Sequence, residues 1–180
     1  MRSLNILRSI VLAIGAAYLI FSQDHSALVG IQVLQFVSIS LVIGSLVMLR
    51  IPKLKLTFKE IALPTTLALV VAAMTVLFGG QYDSVDADEL FVLRSLVVLF
   101  AVGMAALELI LSRKAKPEDV LELRISAGLG VITGLVFCFA PLDDLNAVGF
   151  LSAYLAISSV QRAIWAAGPS NGKKLSNGKN

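Results

Sequence analysis

Residues 27–49 read ALVGIQVLQFVSISLVIGSLVML, and no Asp, Glu, Lys or Arg interrupts them. A helix rises about 1.5 Å per residue, so about 20 residues cover a hydrocarbon core of about 30 Å. A helix on a water-soluble protein keeps a polar face, and this stretch has none. It also lacks the sustained in–out alternation of a barrel strand. Residues 27–49 therefore predict a membrane-spanning helix, and the neighbouring sequence follows the same pattern.

Upstream, 6–21 form a second apolar run behind Arg2 and Arg8. A signal peptide begins similarly, but another apolar segment follows instead of a polar domain, so an uncleaved first helix is expected. The turn Ser22-Gln23-Asp24-His25-Ser26 joins the two. Downstream, Pro52 breaks the chain within a basic stretch holding Arg50, Lys53, Lys55 and Lys59. Thr57-Phe58-Lys59-Glu60 fits a capping box ahead of a third helix at about 61–78, with Pro64 near its first turns. A fourth helix is expected over 90–111. A fifth starts in water at Pro117-Glu118-Asp119 and crosses over 122–140, and a sixth occupies 147–167. The tail 169–180, rich in Ser, Asn, Gly and Lys, is expected to be disordered. The predicted fold is all-α: one polytopic membrane domain over 1–168, six transmembrane helices arranged as three hairpins.

Composition agrees. Of 180 residues 57% are hydrophobic and 15% charged, against about 45–50% and about 25% in soluble domains. The net charge of +3 does not point to nucleic acid, because the basic residues border apolar helices without interleaved aromatics. The single cysteine, Cys138, can form no intramolecular disulfide and lacks zinc-ligand companions; it reads as a small apolar residue within a helix. His25 reads as a solvated turn residue. Neither a metal nor a cofactor is expected.

Orientation follows from charge. Of the 15 Lys and Arg residues, all but Arg94 and Arg162 fall on one side: Arg2, Arg8, Arg50, Lys53, Lys55, Lys59, Arg113, Lys114, Lys116, Arg124, Lys173, Lys174 and Lys179. The positive-inside rule makes that side cytoplasmic, and an even number of helices places both termini there. The opposite turns carry only acids, Asp24, Asp83, Asp86, Asp88, Glu89, Asp143 and Asp144. Their plain reading is stabilisation of helix N-termini.

The three outer turns follow Phe21, Phe78 and Phe139 at near-equal spacing, and helices two, four and six close alike, with VIGSLV (42–47), MAALE (104–108) and ISSVQ (157–161). This suggests a triplicated hairpin. The third hairpin, Phe139-Ala140-Pro141 followed by GFLSAYLAISSVQR (149–162), together with GMAALEL (103–109), resembles the HdeD-like family of acid-resistance membrane proteins. These are small bacterial inner-membrane proteins of six helices. The chain departs from that pattern at Ser158, where glycine is usual, and in its first two outer turns, which lack the proline. The resemblance implies a stress-linked protein of the bacterial plasma membrane, and carries over no catalytic residue.

Among candidates for chemistry, Glu108 stands out, an acid inside an apolar run near the cytoplasmic end of helix four. Such acids face a protein interior or a water cavity. Arg162 and Arg8 lie at similar depth, so a Glu108–Arg162 or Glu108–Arg8 pair is expected, either as a static ion pair or as a proton-sensitive switch. Arg94, one turn inside helix four at the other interface, is expected to reach Asp88 or the acidic turns. Gln32 and Gln35, three apart on helix two, are expected to hydrogen-bond across to a neighbouring helix. GLGVITG (128–134) lacks the strand and glycine spacing of a nucleotide loop. Gly130 and Gly134 read instead as a small-xxx-small helix contact. No catalytic constellation can be assembled, so a non-enzymatic membrane protein is expected. A small transporter or channel, or an accessory subunit of a larger complex, are the alternatives. The expected partners are the lipid bilayer and, on the apolar flanks, a second copy or another membrane protein, with no nucleic acid.

Overall fold

The computed structural model describes residues 2–50, 58–79, 89–113, 115 and 117–167. The Thr57 cap, the acidic loop 80–88, Lys53, Lys55, Lys114, Lys116 and the tail expected to be disordered lie outside the described residues. Six helices follow in order: α1 (Arg2–Phe21), α2 (Ala27–Leu49), α3 (Phe58–Gly79), α4 (Glu89–Ser112), α5 (Pro117–Phe139) and α6 (Asp144–Ala167). The described residues contain no strand.

Each helix covers its expected apolar run to within a residue, and α1 and α6 begin about a turn earlier. α1 starts at Arg2 rather than near Ile6 and α6 at Asp144 rather than Ala147, whereas α3 starts at Phe58, within the expected capping box, and α5 at the expected Pro117. Hydropathy marks the bilayer-length portion, whereas the backbone helix continues until something caps it. For α6 that cap is Asp143, whose Oδ1 accepts from the Asn146 amide at 2.8 Å, satisfying an orphan donor of the first turn. The turn before α2 is held similarly: Asp24 Oδ1 accepts from the Ser26 amide at 2.9 Å, while Ser22 Oγ donates to the Asp24 carbonyl at 2.9 Å.

Five helices, α1, α2, α4, α5 and α6, are long and apolar enough to cross a membrane. In α3 the described residues give Pro64–Leu77 as an apolar stretch, within a run over 61–78 that carries no Asp, Glu, Lys or Arg.

The even-numbered helices α2, α4 and α6 touch one another, and each odd helix packs against two of them: α1 on α6 and α2, α3 on α2 and α4, α5 on α4 and α6. The most extensive packing joins α1 to α6, α4 to α5 and α2 to α3. Sequence neighbours expected to pair as hairpins also touch, but less extensively. Directions alternate. Residues near the starts of α1, α3 and α5 (Asn5, Pro64, Leu123) line one cavity with residues near the ends of α4 and α6 (Glu108, Trp165).

The buried centre is apolar: Leu34, Val37, Val71, Leu93, Val97, Leu151 and Leu155 are essentially inaccessible. The flanks are apolar as well, with Ile14, Leu69, Val76, Phe91, Ile132, Leu135 and Ile164 exposed. A water-soluble protein rarely exposes so continuous an apolar belt. At the α4–α5 contact, a Cβ on Gly130 would stand 2.6 Å from the Ala101 carbonyl oxygen, and one on Gly134 2.3 Å from a Val102 methyl. Both glycines therefore face α4, and at Gly130 two backbones meet with no room for a side chain.

Candidate functional site

The charged residues buried inside the bundle gather at one end. Arg8 comes from the second turn of α1, Glu108 from the last turns of α4 and Arg162 from the last turns of α6. They are 9%, 5% and 7% exposed. Each sits on the inward stripe of its helix. On α4, Glu108 follows Ala101, Met104 and Ala105; on α6, Arg162 follows Leu151, Leu155, Ser158 and Ser159. Helical spacing thus carries a charge into a face that is otherwise apolar or small.

Arg162 Nη2 donates to Glu108 Oε1 at 2.5 Å. The structure thus joins Glu108 to Arg162, while Arg8 approaches both without bonding to either. Arg8 Nη2 is buried and has no hydrogen-bond partner among the described residues. Two guanidiniums and one carboxylate leave the cluster with an excess positive charge. Burying a charge without a partner costs several kcal/mol in a protein interior, so this imbalance is the site's main electrostatic feature.

Two small cavities flank the guanidiniums. One, of about 20 Å³, is lined by Asn5, Arg8, Pro64, Glu108, Arg162 and Trp165, among others. The other, of about 10 Å³, lies between Arg8, Arg162, Tyr154, Ser158, Phe100 and Met104, with Leu12 and Leu41 completing it. Each has room for about one water-sized body. Phe100 and Tyr154, both on the wall of the second cavity, meet edge to face, with ring centroids 6.5 Å apart at 84°.

Polar contacts lock the helices around it. Ser9 Oγ donates to the Ser159 carbonyl and Ser159 Oγ to the Ser9 carbonyl, each at 2.9 Å. This reciprocal pair fixes α1 against α6 one residue from Arg8. Trp165 Nε1 donates to Asp119 Oδ1 at 3.1 Å, and Gln161 Nε2 to the Glu122 carbonyl at 3.1 Å, tying α6 to the start of α5. Asn5, Tyr154, the Ser9–Ser159 pair and Trp165 were not singled out from sequence, and Ser158 only as a departure from the family pattern. Single polar residues in apolar helices give no sign of which neighbour they will meet. The one available clue was Ser158-Ser159 on the same α6 face as Arg162.

The other sequence candidates lie apart. Arg94 is on α4 far from the cluster, and its partners among the described residues are not acids. Its Nε donates to the Phe137 carbonyl at 2.9 Å and its Nη2 to the Ala140 and Cys138 carbonyls at 3.1 and 3.4 Å. It caps the C-terminal end of α5, where unpaired carbonyls and the negative end of the helix dipole attract a cation; Asp88 lies outside the described residues. Gln32 is exposed and Gln35 half-buried, and neither bonds across to another described residue. Helical spacing puts them near one face, but Gln32 points to the lateral surface, where it lines a groove with Ile14, Gly15, Tyr18, Val33 and Phe36. Cys138 is exposed on the flank of α5.

Compared with protein-family models, with characterised proteins and with solved structures, the chain matches none.

Proposed function

We propose that the chain is a non-enzymatic, multi-pass protein of a bacterial plasma membrane, of the HdeD-like kind, serving in acid or envelope stress. It crosses the bilayer six times as three hairpins with both ends in the cytoplasm, α3 supplying the sixth crossing. Its uncharged run over 61–78 is of bilayer-spanning length. The cyclic packing of odd helices on an inner set of even helices supports a threefold hairpin plan. The belt of exposed apolar side chains supports a lipid surround.

The observation that carries the functional reading is the buried Arg8–Glu108–Arg162 cluster at the basic end of the bundle. One carboxylate faces two guanidiniums, so loss of the Glu108 charge leaves both cations without a counter-charge. Such a site is stable while Glu108 is ionised and is driven apart when it is not.

The test is survival of a deletion strain after acid challenge, complemented with wild type or Glu108→Gln. Rescue by wild type alone is the expected result. Rescue by both proteins would make Glu108 a packing residue. A deletion strain as hardy as its parent would sink the stress role.

One observation favours the accessory-subunit reading as a second possibility. Gln32 lies on a lateral apolar groove, where an amide facing lipid is disfavoured and a partner helix could satisfy it. The same exposure weighs against a transport path, because Gln32 points away from Glu108 and Arg162.

A further inference from the structure

The excess charge of the buried cluster calls for a counter-ion, and one of its two cavities is built to take one. Arg8 and Arg162 both border the cavity of about 10 Å³, together with Tyr154 and Ser158, whose side chains hydrogen-bond each other. Among the described residues no carboxylate lines it; Glu108 borders the other cavity, which the same two arginines also line. Arg162 already has Glu108. Arg8 is nine-tenths buried, and its Nη2 has no partner among the described residues. A guanidinium cannot relieve that burial by losing its proton, and it donates without accepting. Two guanidiniums thus stand at the cavity wall, and an occupant beside them should be an acceptor and carry negative charge.

Size selects among anions. A space of about 10 Å³ holds about one water-sized body, which excludes sulfate, phosphate and a lipid headgroup. A monatomic anion is only slightly larger than water, and the unbranched side chain of Met104 on the cavity wall can give by that much. Water alone would fit the volume but would leave the charge uncompensated.

We propose that this cavity binds one halide-sized monovalent anion, chloride in the cell, held by Arg8 and Arg162 with Tyr154 and Ser158 completing the shell. The site goes beyond the stress reading and stands whether or not the protein acts in acid resistance.

The chain carries its own reporter, since its only tryptophan, Trp165, lines the adjoining cavity with Arg8 and Arg162. The full-length protein in detergent micelles would be titrated with sodium bromide at ionic strength held constant with gluconate. Saturable quenching of Trp165, reversed by chloride and not by sulfate, is expected. Arg8→Met should abolish the saturable component, and Tyr154→Phe should weaken apparent affinity about 3- to 10-fold through one lost hydrogen bond. Wild type should also melt at a higher temperature in chloride than in gluconate. If Arg8→Met does not fold, that wild-type anion dependence and Tyr154→Phe decide the question. Non-saturable quenching in wild type, saturable quenching undiminished in Arg8→Met, or sulfate competing as well as chloride would each overturn the proposal.

Discussion

Two arginines share one carboxylate, so the three members of the cluster should not be equally costly to remove. Glu108→Gln keeps the shape and an amide oxygen near the carboxylate position but deletes the charge, leaving Arg8 and Arg162 buried without compensation. Removing one member of a buried ion pair costs about 3–5 kcal/mol. An attraction of about 4 kcal/mol for charges about 4 Å apart at an effective dielectric of about 20 is of the same size. With Glu108 5% and Arg162 7% exposed, little of that is returned by solvent, and a loss of about 3–5 kcal/mol is expected. Arg162→Met is milder. Glu108 keeps Arg8 beside it in the same cavity, and the repulsion between the two guanidiniums disappears. A loss of about 1–2 kcal/mol is expected, with the double variant less destabilised than the sum by about 2 kcal/mol. The assay is reversible unfolding in mixed micelles by added dodecyl sulfate, followed by Trp165 fluorescence, with the free energies assembled into a double-mutant cycle. The reasoning is refuted if Arg162→Met costs as much as Glu108→Gln, or if the two losses simply add.

Three further outcomes are expected. Gly130→Ala should destabilise by about 1–3 kcal/mol, because its Cβ would stand 2.6 Å from the Ala101 carbonyl oxygen and the two backbones must part. Gly128→Ala, with nothing within 4 Å, should be neutral or stabilising by up to about 1 kcal/mol through helix propensity, and the same unfolding titration compares them. Arg94→Met should cost about 1.5–3 kcal/mol by removing the charged donor from the end of α5, with faster amide exchange around Ala140 as its local signature. On a Cys138→Ser background, an impermeant thiol reagent should label Asp143→Cys from outside intact cells and Arg113→Cys only after permeabilisation; the reverse pattern would invert the topology.

How much of this was legible in the sequence depends on whether the signal was local. Apolar length located all six helices, since the cost of exposing or burying a backbone-paired apolar segment depends on the segment itself. Charge asymmetry could be read because it is a sum over loops. Boundaries were uneven: a capping box and Pro117 marked the starts of α3 and α5, while the early starts of α1 and α6 fall in polar residues to which hydropathy is blind, although Asp143 ahead of Asp144 was a usable cap signal. Glu108 was conspicuous as an acid in an apolar run, and both Arg8 and Arg162 could be named as partners by depth alone. Depth could not choose between them. For Arg94 the sequence offered nearby acids, and the structure offers the carbonyls of α5, which no residue type announces.

By itself, then, the sequence determined that the chain is helical, that most of its helices are long and apolar enough to cross a membrane, and where its charges lie along them. Those are properties of single segments and survive any packing. Tertiary structure alone decided that α1 lies against α6 and that Arg162, not Arg8, takes Glu108. It also turned Gln32 outward and brought Gly130 against the backbone of α4. Each of these depends on the rotation of a helix about its axis relative to its neighbours. In a helix apolar on every side, nothing in the sequence specifies that rotation, and only the fit of small residues, hydroxyls and a few charges against one another sets it.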